Sequence, residues 1–308
     1  MRKTSLNCVG KLAKENDNVV FIGSDLGPGV LDEMKNEFPE RFFMEGVSEQ
    51  HIIGMAAGMA MEGFIPYVNT IATFLSRRCY EQIAIDLCLH DLPVKLIANG
   101  GGAVYAPLGP THLAVEDISI LRTLPNMTIL APCDAAEMKR LMDASLEWRH
   151  PMYIRLAKGG DEIISSNQKP FQIGKCIELI EPDDCVFITT GVMTQVALDA
   201  VKELKKDGIN CGIIHCHTIK PLDEKPIFDA LKKVKVAITV EEGNLNGGFG
   251  SCILEKCSDR FPEFLAKIKR LGIPDKFAEK YGNQASLLDN WGLNTINLAN
   301  KMKFFLGV

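Results

Sequence analysis

The chain has 308 residues, enough for about two domains. Apolar residues make up 46% and charged residues 24%, and the formal net charge is −5, so no basic surface argues for nucleic acid as a partner. No apolar run is long enough to span a bilayer, Ile52–Met61 being too short, and the opening "MRKTSLNCVGKLAKENDN" lacks the apolar core of a secretory signal. The expectation is a cytoplasmic protein with no membrane partner.

In chain order, short apolar runs alternate with helical patterns. "NVVFIGSD", "IPYVNTI", "LPVKLIANGG" and "NMTILAPCD" read as buried parallel strands that end in polar or glycine-rich loops, and a phenylalanine-led strand is expected after Arg41. Between them, "EQHIIGMAAGMAMEG", "SRRCYEQIAIDLCLH", "VEDISILRTL" and "DAAEMKRLMDASLEW" read as helices. Strands leading into helices make a layered α/β domain with a parallel sheet, whose ligands gather at the carboxyl ends of the strands. Asp25, Glu49, Asn99 and Gly100–Gly102 fall at or near those ends. "SSNQKPFQ" has no periodicity and reads as a linker. A second cycle follows, with strands in "DCVFITTG", "NCGIIHCHTI" and "KVAITVEEG" and an amphipathic helix in "TQVALDAVKELKKDG". The expected architecture is two doubly wound α/β domains, residues 1–165 and 174–308.

Ten cysteines are scattered without a CxxC pair, the pattern of reduced thiols. Their tightest grouping, Cys211, His215, Cys216 and His217, places residues 215 and 217 on one strand face, but no second ligand pair follows at zinc spacing. "NGGGA" (99–103) lacks the lysine and Ser/Thr of a phosphate loop. In "LGPTHLAVED", Thr111 is expected to cap a helix and present His112 at its start; the alternative is a plain loop histidine. Phe74 reads by default as core, and Arg77 and Arg78 as a solvated face or an interface ion pair. Glu49, in "RFFMEGVSEQHIIGMAAGMAMEG", is by default a helix-capping group.

Taken together, "GSDLGPG", "FMEGVSEQHIIGMAAGMA", "ATFLSRRCYEQI", "GPTHLAVEDI", "FQIGKCIEL", "HTIKPLDEKPI" and "VEEGNLNGGFGS" resemble the C-terminal half of transketolase over almost the whole chain. The nearest likeness is to the C-terminal subunit of split, two-chain transketolases, with 1-deoxyxylulose-5-phosphate synthase a near relative. The resemblance implies a thiamine-diphosphate pyrimidine-binding domain followed by the transketolase C-terminal domain. Glu49 then matches the glutamate that bonds N1′ of the aminopyrimidine and favours the imino tautomer that takes the thiazolium C2 proton. Apolar surroundings strengthen such a bond, and the neighbouring Gly and Ala residues suit close packing where two subunits enclose a cofactor. Phe74 matches the aromatic that stacks on the aminopyrimidine, and Asp25 the aspartate beside the thiazolium ring. His112 matches a histidine that contacts substrate hydroxyls. Arg2 matches a phosphate-binding arginine, and Lys158 falls where a second one is usual.

The departures matter as much. Leu108 replaces the aspartate before "GPTH", Gly100 replaces a phosphate-contacting histidine, and Gly29 replaces a serine. Losing these partners reduces discrimination for an ordinary phosphorylated ketose, so a modified or nucleotide-linked sugar is expected. The chain carries no GDG motif, which the family uses with an asparagine to hold diphosphate and Mg²⁺. No metal site is therefore expected here; thiamine diphosphate and Mg²⁺ are expected to be shared with an N-terminal partner subunit in an α₂β₂ heterotetramer. The alternatives are the beta subunit of a 2-oxoacid dehydrogenase decarboxylating component, a deoxyxylulose-phosphate-synthase-like enzyme, and a non-catalytic scaffold that kept the fold.

Overall fold

The computed structural model describes residues 1–24, 29–157, 159–165 and 171–308. Asp25 and Lys158, two of the expected site residues, lie outside them, as does most of the expected linker. The chain divides into two compact units, one of residues 1–101 and 120–173, the other of 102–119 and 174–308. The "GAVYAPLGPTHLAVEDIS" excursion thus groups with the later residues rather than with the domain that surrounds it in sequence.

The first unit is built on strands β1 (Val19–Gly23), β2 (Phe42–Met44), β3 (Ile65–Ile71), β4 (Lys95–Asn99), β5 (Thr128–Leu130) and β6 (Met152–Leu156), in the order β5-β6-β4-β3-β1-β2. Every pairing among them is parallel. β1, β4, β5 and β6 are buried at every position, which is why they read as continuous apolar runs rather than alternating ones. The helices are α1 (Arg2–Glu15), α2 (Asp32–Glu37), α3 (Glu49–Met61) and a short α4 (Tyr80–Gln82) flanked by π-helical turns at Phe74–Arg78 and Ile83–Leu89. After α5 (Asp117–Leu121) comes α6 (Ala135–Ser145), capped by the Asp134 carboxylate, which accepts from the Glu137 amide at 2.8 Å. α3 buries Ile52, Ile53, Ala56, Ala57 and Ala60, while Gly54 and Gly58 lie on its exposed side.

The second unit centres on β7 (Ile177–Ile180), β8 (Cys185–Thr189), β9 (Cys211–His215), β11 (Val236–Asn244) and β12 (Ile268–Ile273), with β10 (Thr218–Lys220) following β9 in the chain. The order is β12-β11-β8-β9-β7, parallel throughout except for β7, which runs antiparallel to β9. Its helices are α7 (Met193–Lys206), α8 (Glu224–Lys233), α9 (Phe249–Arg260), α10 (Gln284–Asn290) and α11 (Thr295–Leu306). Phe187, Ile213 and Ile238 from the sheet pack with Leu204 of α7 and with Leu298 and Met302 of α11. Within the 102–119 excursion, Gly102 and Ala114 pair across an antiparallel bridge, and Ala106 and Leu113 pack on Leu287 of α10.

Two carboxylates at the end of β11 explain why "VEEGNLNGGFGS" has its form. Glu241 accepts from the amides of Phe249 (2.7 Å) and Gly250 (2.8 Å), so it caps the first turn of α9 in place of a residue at the helix start. A side chain at Gly248 would collide with that carboxylate at 2.3 Å, which is why the residue is glycine. Glu242 accepts from the Ala103 amide (2.9 Å) and from Gln284 Nε2 (2.8 Å), tying the excursion to α10.

Candidate active site

The carboxyl end of the first unit's sheet carries a buried polar layer. Ser24, after β1, shares a 2.7 Å hydrogen bond with Thr70 of β3, and Asn99, closing β4, donates to Asn69 Oδ1 at 2.7 Å and to the Thr70 carbonyl at 3.1 Å. Asn99 Oδ1 and Thr73 Oγ1 are buried and find no hydrogen-bond partner among the described residues.

Glu49 is the first residue of α3 and is only 3% exposed. It is not the cap that its position suggests: Ser48 precedes it, and neither side chain makes a cap bond to α3, the Ser48 hydroxyl donating instead to the Glu45 carbonyl at 2.9 Å. The helix N-terminus still favours a negative charge there. The Glu49 carboxylate accepts from Arg78 Nη1 at 2.7 Å.

Phe74 opens the π-helical turn that ends at Arg78, so the two side chains leave the same face one turn apart. The Arg78 guanidinium carbon sits 4.5 Å from the centre of the Phe74 ring. The structure thus joins Glu49 and Phe74, two expected site residues, through an arginine that reads in sequence as a solvated face or an interface ion pair. Its partner is internal. Its four-residue spacing from Phe74 signals the ring contact but not the pairing with Glu49, which lies 29 residues away. Beside this group Cys79 is buried, and burial first, then the Glu49 charge, push its thiol up to about 12, so it stays protonated and inert.

The other expected residues are placed as follows. Arg2 is the first residue of α1 and is exposed. His112 belongs to the second unit and does not start a helix. Residues 111 and 112 form a turn, with the His112 amide donating to the Gly109 carbonyl (3.0 Å), and α5 begins only at Asp117. The Thr111 hydroxyl pairs with His112 Nδ1 at 2.9 Å instead of capping a helix. Gly109 has φ +76, and a Cβ there would meet the Tyr281 ring at 2.5 Å, so this loop is shaped by a residue of the C-terminal segment. Leu108 is half exposed in it. Gly100 and Gly29 both have positive φ, at +78 and +86, a backbone that favours glycine over the histidine and serine of the resemblance.

The "CGIIHCHT" residues are each engaged within the second unit. His215 Nδ1 meets Thr194 Oγ1 at 2.8 Å, His217 Nδ1 meets Thr218 Oγ1 at 2.9 Å, and Cys216 lies 3.1 Å from the Cys176 sulfur. The ten cysteines are all free thiols.

Comparison with known proteins divides the chain by sequence, with 102–119 inside the first match. Residues 1–160 match the family model "Transketolase, pyrimidine binding domain", and 174–297 match "Transketolase, C-terminal domain". Over 301 residues the chain is 38% identical to 1-deoxy-D-xylulose-5-phosphate synthase 1 of Geobacter sulfurreducens, covering 97% of this chain and 47% of that protein. It therefore spans about half the length of such relatives. An uncharacterized transketolase family protein of Sinorhizobium fredii is 34% identical, with 97% of this chain and 87% of that protein covered. Among solved structures, a split gene transketolase described as an inactive beta4 tetramer superimposes with a TM-score of 0.90 at 30% identity, covering 99% and 98% of the two chains. A transketolase of Pichia stipitis shares the fold at 18% identity, with a TM-score of 0.81 over 46% of its length. The chain belongs to the transketolase family and carries that family's pyrimidine-binding and C-terminal domains.

Proposed function

We propose that this chain is one half of a two-chain, thiamine-diphosphate-dependent transferase that moves a two-carbon ketol unit between sugars, and that one of its substrates is a modified sugar rather than an ordinary pentose phosphate. The observation that carries the reading is the buried Glu49 carboxylate, held at the start of α3 in reach of the same guanidinium that lies over the Phe74 ring. A shielded acceptor beside an aromatic face fits the aminopyrimidine half of the cofactor, and the partnerless Asn99 Oδ1 and Thr73 Oγ1 leave further polar atoms near the same strand ends.

When bound, thiamine diphosphate supplies the carbanion chemistry. Glu49 Oε would hold a proton against N1′ of the aminopyrimidine and Phe74 would offer its ring face, and the resemblance gives Asp25 a role toward the thiazolium. The resemblance gives His112 contact with substrate hydroxyls and a part in proton transfer, and it gives Arg2 and Lys158 a substrate phosphate. Diphosphate and Mg²⁺ fall to an N-terminal partner subunit, in an α₂β₂ assembly. The exposed Gly54 and Gly58 side of α3, where a Cβ at Gly58 would meet nothing, supports close approach of that second chain. The solved relative described as an inactive beta4 tetramer supports the view that a chain of this length assembles without being active alone. Ten thiols without a disulfide support a cytoplasmic setting.

The test is reconstitution with a diphosphate-binding subunit and an assay of ketol transfer. The chain alone should be inactive, and the assembled enzyme should turn over a modified sugar in preference to xylulose 5-phosphate. Activity without a partner overturns the assembly, and efficient use of xylulose 5-phosphate overturns the substrate. A second reading, a 1-deoxyxylulose-5-phosphate-synthase-like activity, is favoured by curated relatives at 34–38% identity. Leu108, where that enzyme keeps an aspartate, counts against it. Formation of 1-deoxyxylulose 5-phosphate by the assembled enzyme would establish it.

A further inference from the structure

Arg78 makes two contacts, and they are the two that the proposed function gives to the aminopyrimidine ring. Its guanidinium lies 4.5 Å from the Phe74 ring centre and its Nη1 donates to Glu49 Oε2 at 2.7 Å. A guanidinium and an aminopyrimidine protonated at N1′ share the relevant chemistry. Each is flat and delocalised, each carries an N–C–N unit with N–H donors along its edge, and each prefers an aromatic face on one side and a carboxylate at the rim. Two such groups cannot both take the same carboxylate oxygen and the same ring face.

We propose that Arg78 is a built-in occupant of the pyrimidine site, a latch that holds Glu49 paired and Phe74 covered and that must swing aside for the cofactor ring. The mobile partner of the pair is identified by burial: the Glu49 side chain is 3% exposed and fixed at the helix start, whereas the Arg78 side chain is 46% exposed and can carry its own charge into solvent, leaving the buried carboxylate to the incoming cation. The π-helical turn places Phe74 and Arg78 on one face, so one rotamer change at Arg78 uncovers both partners. The latch takes flat cations of the amidine and aminopyrimidine class, guanidinium itself included. The inference rests on the reading of Glu49 and Phe74 as the aminopyrimidine site, and it goes beyond that reading by giving Arg78 the sign of a competitor.

The experiment titrates the full-length chain with thiamine by calorimetry and by ligand-observed NMR, for the wild type, Arg78→Met, Arg78→Lys and Glu49→Gln. Arg78→Met keeps the aliphatic stem and removes the competing cation. It should bind thiamine on the order of tenfold more tightly than the wild type, with Arg78→Lys between the two, since an ammonium retains the charge but not the planar stack. Added guanidinium chloride at non-denaturing millimolar concentration should compete with thiamine in Arg78→Met. Unchanged or weaker thiamine binding by Arg78→Met, or no detectable binding by it, overturns the latch. Failure of the underlying reading shows separately: thiamine affinity in Arg78→Met that is unmoved by adding Glu49→Gln would remove Glu49 from the pyrimidine site, whichever sign Arg78 has.

Discussion

Glu241 in the second unit and Glu49 in the first are both buried carboxylates beside a helix N-terminus, and they are used in opposite ways. Glu241 is 0% exposed and gives its two oxygens to two backbone amides of α9. Those donors cannot move without unwinding the helix, so these two bonds are fixed. Glu49 makes no cap bond to its helix and accepts from a half-exposed arginine side chain. That donor can be exchanged by a bond rotation. The difference teaches that burial and a helix start do not by themselves mark a reactive carboxylate. What marks it is a partner that can leave.

The comparison is broken most directly by substituting each glutamate in turn. Glu49→Gln keeps the shape and removes the acid, so ketol transfer by the assembled enzyme should fall about 10³-fold, within the span of a positioned proton donor or acceptor. Its thermal stability should change by about 1 kcal/mol or less, because the arginine left behind reaches water. Glu241→Ala should do the reverse. Two buried amides lose a charged acceptor, and the cost should be about 3 kcal/mol by denaturant titration, with faster amide exchange at Phe249 and Gly250. A Glu49 variant that unfolds the protein while Glu241→Ala leaves it intact would invert the argument.

Legibility followed the same line. β1, β3 and β4 can be read from "VVFIG", "IPYVNTI" and "KLIAN" because strands buried on both faces keep a largely apolar run. β6 is hard to read because "MYIRL" places a tyrosine and an arginine in so short a run, although both are buried. α1 is hard to read because its buried side, Ser5, Leu6, Cys8, Val9, Leu12 and Ala13, mixes a serine and a cysteine into a stripe running through a lysine-rich stretch. The helix expected at His112 failed because the Thr111 hydroxyl found the histidine ring before any free amide. At the site, Glu49 and Phe74 were legible only through resemblance. Arg78 was not, since its pairing with Glu49 spans 29 residues and depends on how the π-helical turn packs against α3. No local pattern states which long-range partner a surface-looking arginine will meet. The role of Glu241 was hidden in the same way, its amide partners lying eight and nine residues further on.

The comparison is sharpened by a buried cation treated as Glu241 is. Lys95 is fully buried on β4, and its ammonium donates to the carbonyls of Pro93 (3.0 Å) and Trp148 (2.6 Å). Burial first, then the charge of Arg149, push it down from 10.5 to about 7. Because the folded value is the lower one, the unfolded chain binds more protons between about 7 and 10.5, and stability must rise with pH across that window. The slope is at most about 1.4 kcal/mol per pH unit. Thermal midpoints measured from pH 7 to 10 should climb in the wild type relative to Lys95→Met, in which this contribution is absent. Parallel curves would mean that the lysine stays charged in the fold, held by its two carbonyls.

The smallest effect should come from a carboxylate whose hydrogen bonds are as short as those of Glu241. Asp229 accepts from Lys225 at 2.7 Å and from Lys232 at 2.8 Å, the same two distances. The hydrogen bonds to the two lysines hold its carboxyl down at about 2. A carboxyl lowered in the fold contributes stability that is present above its ordinary value of 3.8 and lost as pH falls through about 2, so at neutral pH whatever the trio provides is fully in place. Yet all three groups stand in water on the outer side of α8, where solvent replaces each bond as it breaks and salt screens the charges. Replacing both lysines by alanine should leave the thermal midpoint unchanged within error, at low salt and at high. A clear loss would mean that bond length, rather than the inability of water to substitute, ranks these carboxylates, and the contrast between Glu241 and Glu49 would then have to rest on geometry alone.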